Sequence, residues 1–424
     1  MTTTLPFTEA LSRVDTPAWW TATRRQALDD FLHADFPSTG QEEWKYTPLT
    51  QLERLHLHAP TPTSAESRPP DYPGQVLAFC NDAPLGHGVY HGDYEYDEIV
   101  ASLQRVADSD IVRRHLGTLA GESALVNLNN ALWRDGAHVL VAADSRVVEP
   151  IFLAHLADEA EAMFYPRSLI VLEAGSEAVL VEHYRGRSDA PYWRNAVSEI
   201  VLEEGARLTH IRVLEEGAAA THTGMTAVRL GRDSLYRALH LGLGGALARH
   251  DMRVELMGEG AEVRIDALNL AGGEGGVPIR DLHLRVDHRT AHTRSRIHYR
   301  GLIDGRGRGV FDGRVVVHPE APGTDAQQLC RSLLLSPQAE ADVRPQLEIY
   351  TDDVKCGHGA SVGTLDDEAL FYLKSRGIDS REARRLLMEA FAGEALGLLD
   401  ETGLKDWILP SLLARLPMAT EEPA

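Results

Sequence analysis

Four glycines, Gly175, Gly205, Gly231 and Gly260, each precede a short run in which apolar and polar residues alternate, and they stand 30, 26 and 29 residues apart. The units are Leu172 to Val181, Leu202 to Ile211, Val228 to Arg237 and Met257 to Asp266. A strand, a turn and a strand recurring at a nearly fixed period mark a solenoid, because one such unit buries its inner face only by stacking on the next. Alternation of period two begins near Ala137, so the pattern predicts a parallel β-helix. An antiparallel sandwich also has short alternating strands and glycine-rich turns, and spacing alone leaves that rival open.

Both flanks switch to helical spacing. Trp19, Trp20, Ala27, Leu28, Phe31 and Leu32 recur with a helix period that stops at Phe36-Pro37. The stretch Ala59 to Pro73 is rich in Pro, Ser and Thr and reads as a linker, and Ile99 to Trp133 reads as mostly helical. The tryptophans read as core anchors on apolar helix stripes. After Gly363, Asp366 or Asp367 is an N-cap for a helix from Glu368 to Ser375, with Gly377 as its stop. A second helix runs from Asp379-Ser380 to about Leu399, and a third, interrupted at Pro410, spans Gly403 to Leu416. The expected organisation is a mostly helical region over 1–135, a β-helix core over 136–362 and a helical region over 363–424.

Several function classes drop out. A net charge of -21, from 42 basic and 63 acidic residues, opposes contact with nucleic acid, which needs clustered Lys and Arg. Three cysteines make no disulfide framework, and Met1 to Glu9 lacks the basic and apolar regions of a signal peptide, so a reducing cytoplasm is expected. No apolar run approaches the roughly 20 residues that span a bilayer. The four lysines, Lys45, Lys355, Lys374 and Lys405, have no preceding glycine, so there is no phosphate-binding P-loop. Gly272 to Gly276 precedes an alternating strand, not a helix, and reads as a solenoid loop. His283, His288, His292 and His298 fall at spacings that one strand face cannot gather, which makes them loop and surface residues. The basic stretch Arg280 to Arg308 is offset by Asp281, Asp287, Asp304 and Asp312 and reads as solvated or paired charge.

Cys356 and His358 follow the alternating run that ends at Tyr350-Thr351. Residues at i and i+2 of a strand leave the same face, so both side chains address one object, with Gly357 and Gly359 offering little hindrance to a close approach. Two ligands are half of a zinc or iron–sulfur coordination set, and no CxxC supplies the rest; Cys80 and Cys330 sit in no ligand spacing. The alternative is a small packed thiol and a satisfied polar group at a strand end. A second chain is the natural source of further ligands.

The run from Tyr299 to Leu373 carries Gly301-Leu-Ile-Asp-Gly-Arg-Gly-Arg-Gly-Val-Phe-Asp-Gly313, Val317-His318-Pro319, Thr324-Asp-Ala-Gln-Gln328 and Asp352-Asp-Val-Lys-Cys-Gly-His-Gly-Ala360. In that order these blocks resemble the SufB/SufD family, scaffold subunits of the SUF iron–sulfur cluster assembly machinery. Glu43-Trp-Lys-Tyr-Thr-Pro-Leu49 resembles the SufD branch, and with the shortage of cysteines it argues against the SufB branch. The resemblance is weakest from about Gln51 to Leu116. It implies a right-handed, flattened parallel β-helix between helical ends, and no enzymatic activity of the chain's own. It implies a SufB-like paralogue as mate, a SufC-like ABC-type ATPase docked on the C-terminal helices, and sulfur-donating proteins acting through the complex. Further implications are a nascent iron–sulfur cluster held by His358, with Cys356 at the same seam, and ATP acting only through the partner. Gln346 to Tyr350 reads as the last strand edge, and a second copy covering it in the absence of the mate predicts a homodimer when the chain is isolated. The resemblance also admits a flavin in the complex. His318, Gln327, Gln328, Arg306 and Arg308 belong to the signature, and turn-shaping roles are expected of them. A carbohydrate-active β-helix enzyme is the remaining alternative; it would need a secretion signal and a carboxylate or calcium cluster.

Overall fold

The computed structural model describes residues 17–52, 55–61, 71–85, 99–186, 190–272 and 276–417. Met1 to Glu9, most of the Ala59–Pro73 linker and the centre of the Gly272–Gly276 run lie outside them. The first strands are β1 (Gln75–Cys80), β2 (Ala83–Pro84), β3 (Val100–Ser102), β4 (Gly136–Val141), β5 (Ile151–Ala157), β6 (Met163–Phe164) and β7 (Arg167–Leu172). Then come β8 (Glu177–Gly186), β9 (Trp193–Leu202), β10 (Arg207–Glu215), β11 (Thr221–Leu230), β12 (Leu235–Gly242), β13 (Leu247–Leu256) and β14 (Glu262–Ala271). The last six are β15 (Ile279–His288), β16 (Arg294–Ile303), β17 (Arg308–Val317), β18 (Thr324–Leu334), β19 (Glu340–Ile349) and β20 (Val354–Gly363).

Even-numbered strands from β8 to β20 form one sheet, extended by β5, β1 and β2; odd-numbered strands from β7 to β19 form the other, extended by β4 and β3. Neighbours from β7 onward are parallel, as in Leu208 beside Ala178 and Tyr236. The result is a parallel β-solenoid of about seven turns with helices at both termini, and the sandwich reading falls.

One corner explains the repeat. Asp144, Gly175, Gly205, Asp233, Gly260, His292 and Gly323 all have positive φ, and each lies between an odd strand or β4 and the even strand or β5 that follows. Their amides climb the stack: Gly175 donates to the Glu204 carbonyl, Gly205 to Arg232 and Asp233 to Glu259, at 2.8 to 2.9 Å. The left-handed turn favours Gly, with Asp tolerated. In the third unit the turn residue is Asp233 and not Gly231, which the sequence spacing had aligned with the others.

Between the sheets lies an apolar core that includes Leu180, Leu208, Val254, Val263, Leu284, Ile297 and Val315. It encloses polar groups as well. Glu182 accepts from Ser198 at 2.6 Å, pairs with Arg212 and meets His210 at 3.0 Å; Glu216 accepts from Arg194 at 2.6 Å and Tyr192 at 2.5 Å and meets His222 at 2.8 Å. Burial would push both carboxyls up, but Arg212 and Arg194 respectively outweigh it and hold them ionised.

The outer faces are covered by the two helical regions. The helix Thr21–Ala34 and the helix Ala124–Leu132 bring Leu28, Phe31, Leu128 and Leu132 into one cluster with Leu169, Trp193, Val197 and Leu247 of the odd-strand sheet. Trp20, Trp44, Trp133 and Trp193 are buried in it, as anchors should be. The C-terminal helices Ser380–Gly393, Gly397–Thr402 and Lys405–Leu413 bring Met388, Leu399, Ile408 and Leu412 against Phe152, Ile211, Leu239, Leu268 and Leu302 of the other sheet. The region expected to be helical before residue 136 thus also contains β1, which pairs directly with β5, and β3, which pairs with β4. Pro410 does not interrupt the last helix; it lies inside Lys405–Leu413.

Candidate functional site

The coverings stop short of the last rungs. β18 alternates from Thr324 to Ser332, with Thr324, Ala326, Gln328, Cys330 and Ser332 buried and inward. In the parallel register Ala326 faces Cys356, Gln328 faces His358 and Cys330 faces Ala360. Cys356 and His358 therefore continue the inward columns of the solenoid, on the same face as expected. They lie within a final strand, β20, and not beyond the last one. Among the described residues no further rung covers them, and His358 is exposed while Cys356 is half-buried and packs against the core.

Gly357 and Gly359 have the opposite parity. A Cβ on Gly357 would lie 3.0 Å from Gln327 Oε1, and one on Gly359 3.6 Å from Leu329. The space they leave is on the outer face of β20, away from Cys356 and His358, which corrects the expectation that they ease approach to that pair.

The Cys356 thiol is pushed up by burial and by Asp325, with the Ala326 backbone partly offsetting it, so it is a protonated thiol in the isolated chain. Cys80 and Cys330 are buried, and burial pushes Cys330 up to about 12. Among the described residues no group of three His, Cys, Asp or Glu could hold a metal. At this end of the solenoid Cys356 and His358 present two potential donor side chains.

Two unpaired strand edges frame the pair, because β19 ends one sheet and β20 the other. Gln346 to Tyr350, expected to be the last edge, thus forms one of two. Val343 and Leu347 of β19 are half-buried against the core, and Ile349, Tyr350 and Val362 are exposed. Such an edge presents unpaired backbone donors and acceptors beside apolar side chains.

The signature residues build this end. Gly305 has φ 60° at the corner, and a Cβ on Gly307 would lie 2.3 Å from the Ala271 carbonyl oxygen. Gln328 is not a turn residue: it crosses the interior, and its Nε2 donates to the carbonyls of Gly313 at 3.3 Å and Gln346 at 3.2 Å. Gly313 leaves room for it, since a Cβ there would lie 2.4 Å from Gln328 Oε1. His318 Nε2 meets Asp287 at 2.9 Å, and Arg308 lies within β17 and pairs with Glu340 and Asp342. Of the clustered histidines, His298 faces out and His283 is half-buried beside Asp281, but His288 is fully interior, bonded to Thr293 and Ser295, contrary to its reading as a surface residue.

The Glu43–Leu49 block docks on the outer face of the odd-strand sheet. The Arg249 guanidinium stacks 3.8 Å from the Trp44 ring centroid and donates to the Glu43 carbonyl, while Thr47 donates to Asp281. It anchors the N-terminal region to β13 and β15.

Sequence reasoning missed Phe371 and Tyr372. The helix Asp367–Ser375, capped by Asp366 as expected, has no buried residue, and these two rings are 73% and 56% exposed. The available signal was their adjacency, since neighbouring positions on a helix do not share one face.

The sequence model of the family described as SUF system FeS cluster assembly, SufBD core domain, matches residues 155–391. The iron-sulfur cluster assembly protein SufD of Escherichia coli strain K12 is 30% identical over 93% of this chain and 92% of its own. This chain belongs to the SufBD family. An iron-sulfur cluster assembly SufBD family protein of Synechocystis is 31% identical over 88% of this chain and 86% of its own. The chloroplastic protein ABCI7 of Arabidopsis thaliana is 30% identical over 90% and 83%. SufBD membership gives the chain a role in SUF-system iron–sulfur cluster assembly. Among the described residues no helix is long and apolar enough to cross a membrane.

Proposed function

We propose that this SufBD chain is a non-catalytic scaffold subunit whose open solenoid end is one half of a cluster-assembly seam. The single observation that carries this reading is the pair Cys356 and His358, inward-facing on the terminal strand with no rung above them. A SufB-like paralogue pairs with the β19 and β20 edges and supplies the thiolates that complete the set. His358 ligates the nascent iron–sulfur cluster, which is the cargo of the complex. Imidazole is a competent iron ligand, and a mixed set holds a cluster less tightly than four thiolates, as suits a site that passes its product on. Cys356 lies at the same seam, as a second ligand or a packed interface thiol.

A SufC-like ABC-type ATPase docks on the C-terminal helices, with Phe371 and Tyr372 as its apolar contacts, and ATP acts only there. Sulfur-donating proteins deliver to the assembled complex in the cytoplasm. Without the paralogue, a second copy covers the same edges and gives a homodimer through the C-terminal rungs. Native mass measurement of the complex co-purified with this chain tests the arrangement. A particle containing this chain, a paralogue and an ATPase is expected; a chain that purifies alone from cells expressing all three contradicts it.

A further inference from the structure

Arg280, the second residue of β15, faces the solenoid interior on the same side as Leu282, Leu284 and Val286 and is 3% exposed. The expectation that the Arg280–Arg308 charges are all paired or solvated fails at this residue. Arg167, Arg194, Arg212, Arg249 and Arg300 each meet a carboxylate. Among the described residues Arg280 meets none: its Nη1 donates to the Ile279 carbonyl at 3.0 Å, and its buried Nε has no partner. Burial pulls its pKa down only to about 10, so it is charged at neutral pH. An uncompensated interior cation is costly, and the cost is relieved by a counter-charge or by water.

Its surroundings are rich in polar atoms without partners. Gly242, Asn269, Gly301 and Ser332 are register neighbours in one interior row, and Gly309 is the register neighbour of Arg280 across from it. Asn269 Oδ1 and Arg280 Cδ converge on the space left by Gly242, 2.2 and 3.6 Å from where its Cβ would sit. Ser332 Oγ and the Tyr299 hydroxyl do the same at Gly301, at 3.0 and 3.2 Å. Asn269 Oδ1 and Ser332 Oγ are buried without a hydrogen-bond partner among the described residues, and the Tyr299 hydroxyl meets the Asn269 amide. The Tyr299 and Ser332 hydroxyls each keep an O–H to donate. A cation with neutral donors and no carboxylate has the chemistry of an anion site.

We propose that this interior layer holds one small inorganic anion, of halide size and single charge, against the Arg280 guanidinium, with the Tyr299 and Ser332 hydroxyls as the neighbouring donors. The site does not depend on the cluster-assembly reading. Its occupant neutralises the one interior arginine of β15 and ties together β15, β16 and β18, the rungs on which the open end is built.

Bromide is the probe. Crystals of the full chain soaked in sodium bromide should show an anomalous peak within hydrogen-bonding distance of the Arg280 guanidinium. The thermal midpoint should rise in bromide or chloride over gluconate of equal ionic strength, by on the order of 2 °C. Arg280→Met should abolish that difference. A water and no bromide beside the guanidinium, or an equal halide response in Arg280→Met, overturns the proposal. If Arg280→Met does not fold, the bromide peak in the unsubstituted chain decides alone.

Discussion

His358 stands beside Gln328 in the parallel register of the last two strands of one sheet, yet Gln328 is buried and His358 is exposed. The two positions differ only in whether a further rung lies above them. A solenoid buries each inner face by stacking, so its last strand displays interior residues to whatever docks there. The inward parity that hides Cys330 thus presents Cys356 and His358.

The signature glycines should be intolerant for steric reasons. Gly307→Ala places a Cβ 2.3 Å from the Ala271 carbonyl oxygen and 3.0 Å from that of Asp304, both backbone atoms that side-chain rotation cannot move. A loss of about 1–3 kcal/mol is expected in denaturant unfolding. An unchanged midpoint would show that the corner shifts freely.

ATPase capture should depend on exposed rings and not on the whole C-terminal region. Phe371→Ala with Tyr372→Ala should abolish pull-down of the ATPase subunit while the unfolding midpoint moves by less than about 0.5 kcal/mol, since neither ring is buried. Removing residues 379–424 is a poorer test, because it strips Met388, Leu399, Ile408 and Leu412 from the even-strand sheet. Retained capture by the double variant would move the docking surface elsewhere.

Acid should destabilise the chain through its buried histidines. Burial pulls His155 and His240 down to about 3 and His138 and His288 down to about 4. Between those values and the unfolded value of about 6.5 the unfolded chain binds more protons, so stability is full above about pH 6.5 and falls as the pH drops. Each group contributes up to about 1.4 kcal/mol per pH unit. His155 is stacked between the rings of Phe79 and Tyr184, a place that phenylalanine suits. His155→Phe should recover on the order of 2 kcal/mol of the loss between pH 7.5 and pH 5.0. Parallel pH profiles for the two proteins would refute the assignment.

The solenoid was legible because its inner faces obey a period of two and its corners need left-handed turns, two constraints that leave marks at every rung. The two sheets' outer coverings were less so: the helix stripes announced that something is buried, but not that Leu399 and Ile408 cover Ile211 and Leu239. β1 was missed because all six of its residues are buried, so it carries no alternation. The candidate pair was legible as Cys-x-His, and the register explains why that spacing puts both side chains on one face. The interior polar groups were not, since His288 and Arg280 read as ordinary strand polar residues until the parity of β15 is known.

The most direct test of the account is anaerobic cluster reconstitution on the proposed complex of this chain with a SufB-like paralogue and a SufC-like ATPase, comparing His358 with His358→Ala. The substitution touches an exposed residue of the terminal strand, so the complex should assemble and unfold as before. Bound iron and sulfide per complex should fall several-fold in His358→Ala, and by less in Cys356→Ala, whose thiol is protonated to begin with. Equal cluster yield from the His358 and His358→Ala complexes would contradict the claim that the open end of this solenoid is half of the assembly site.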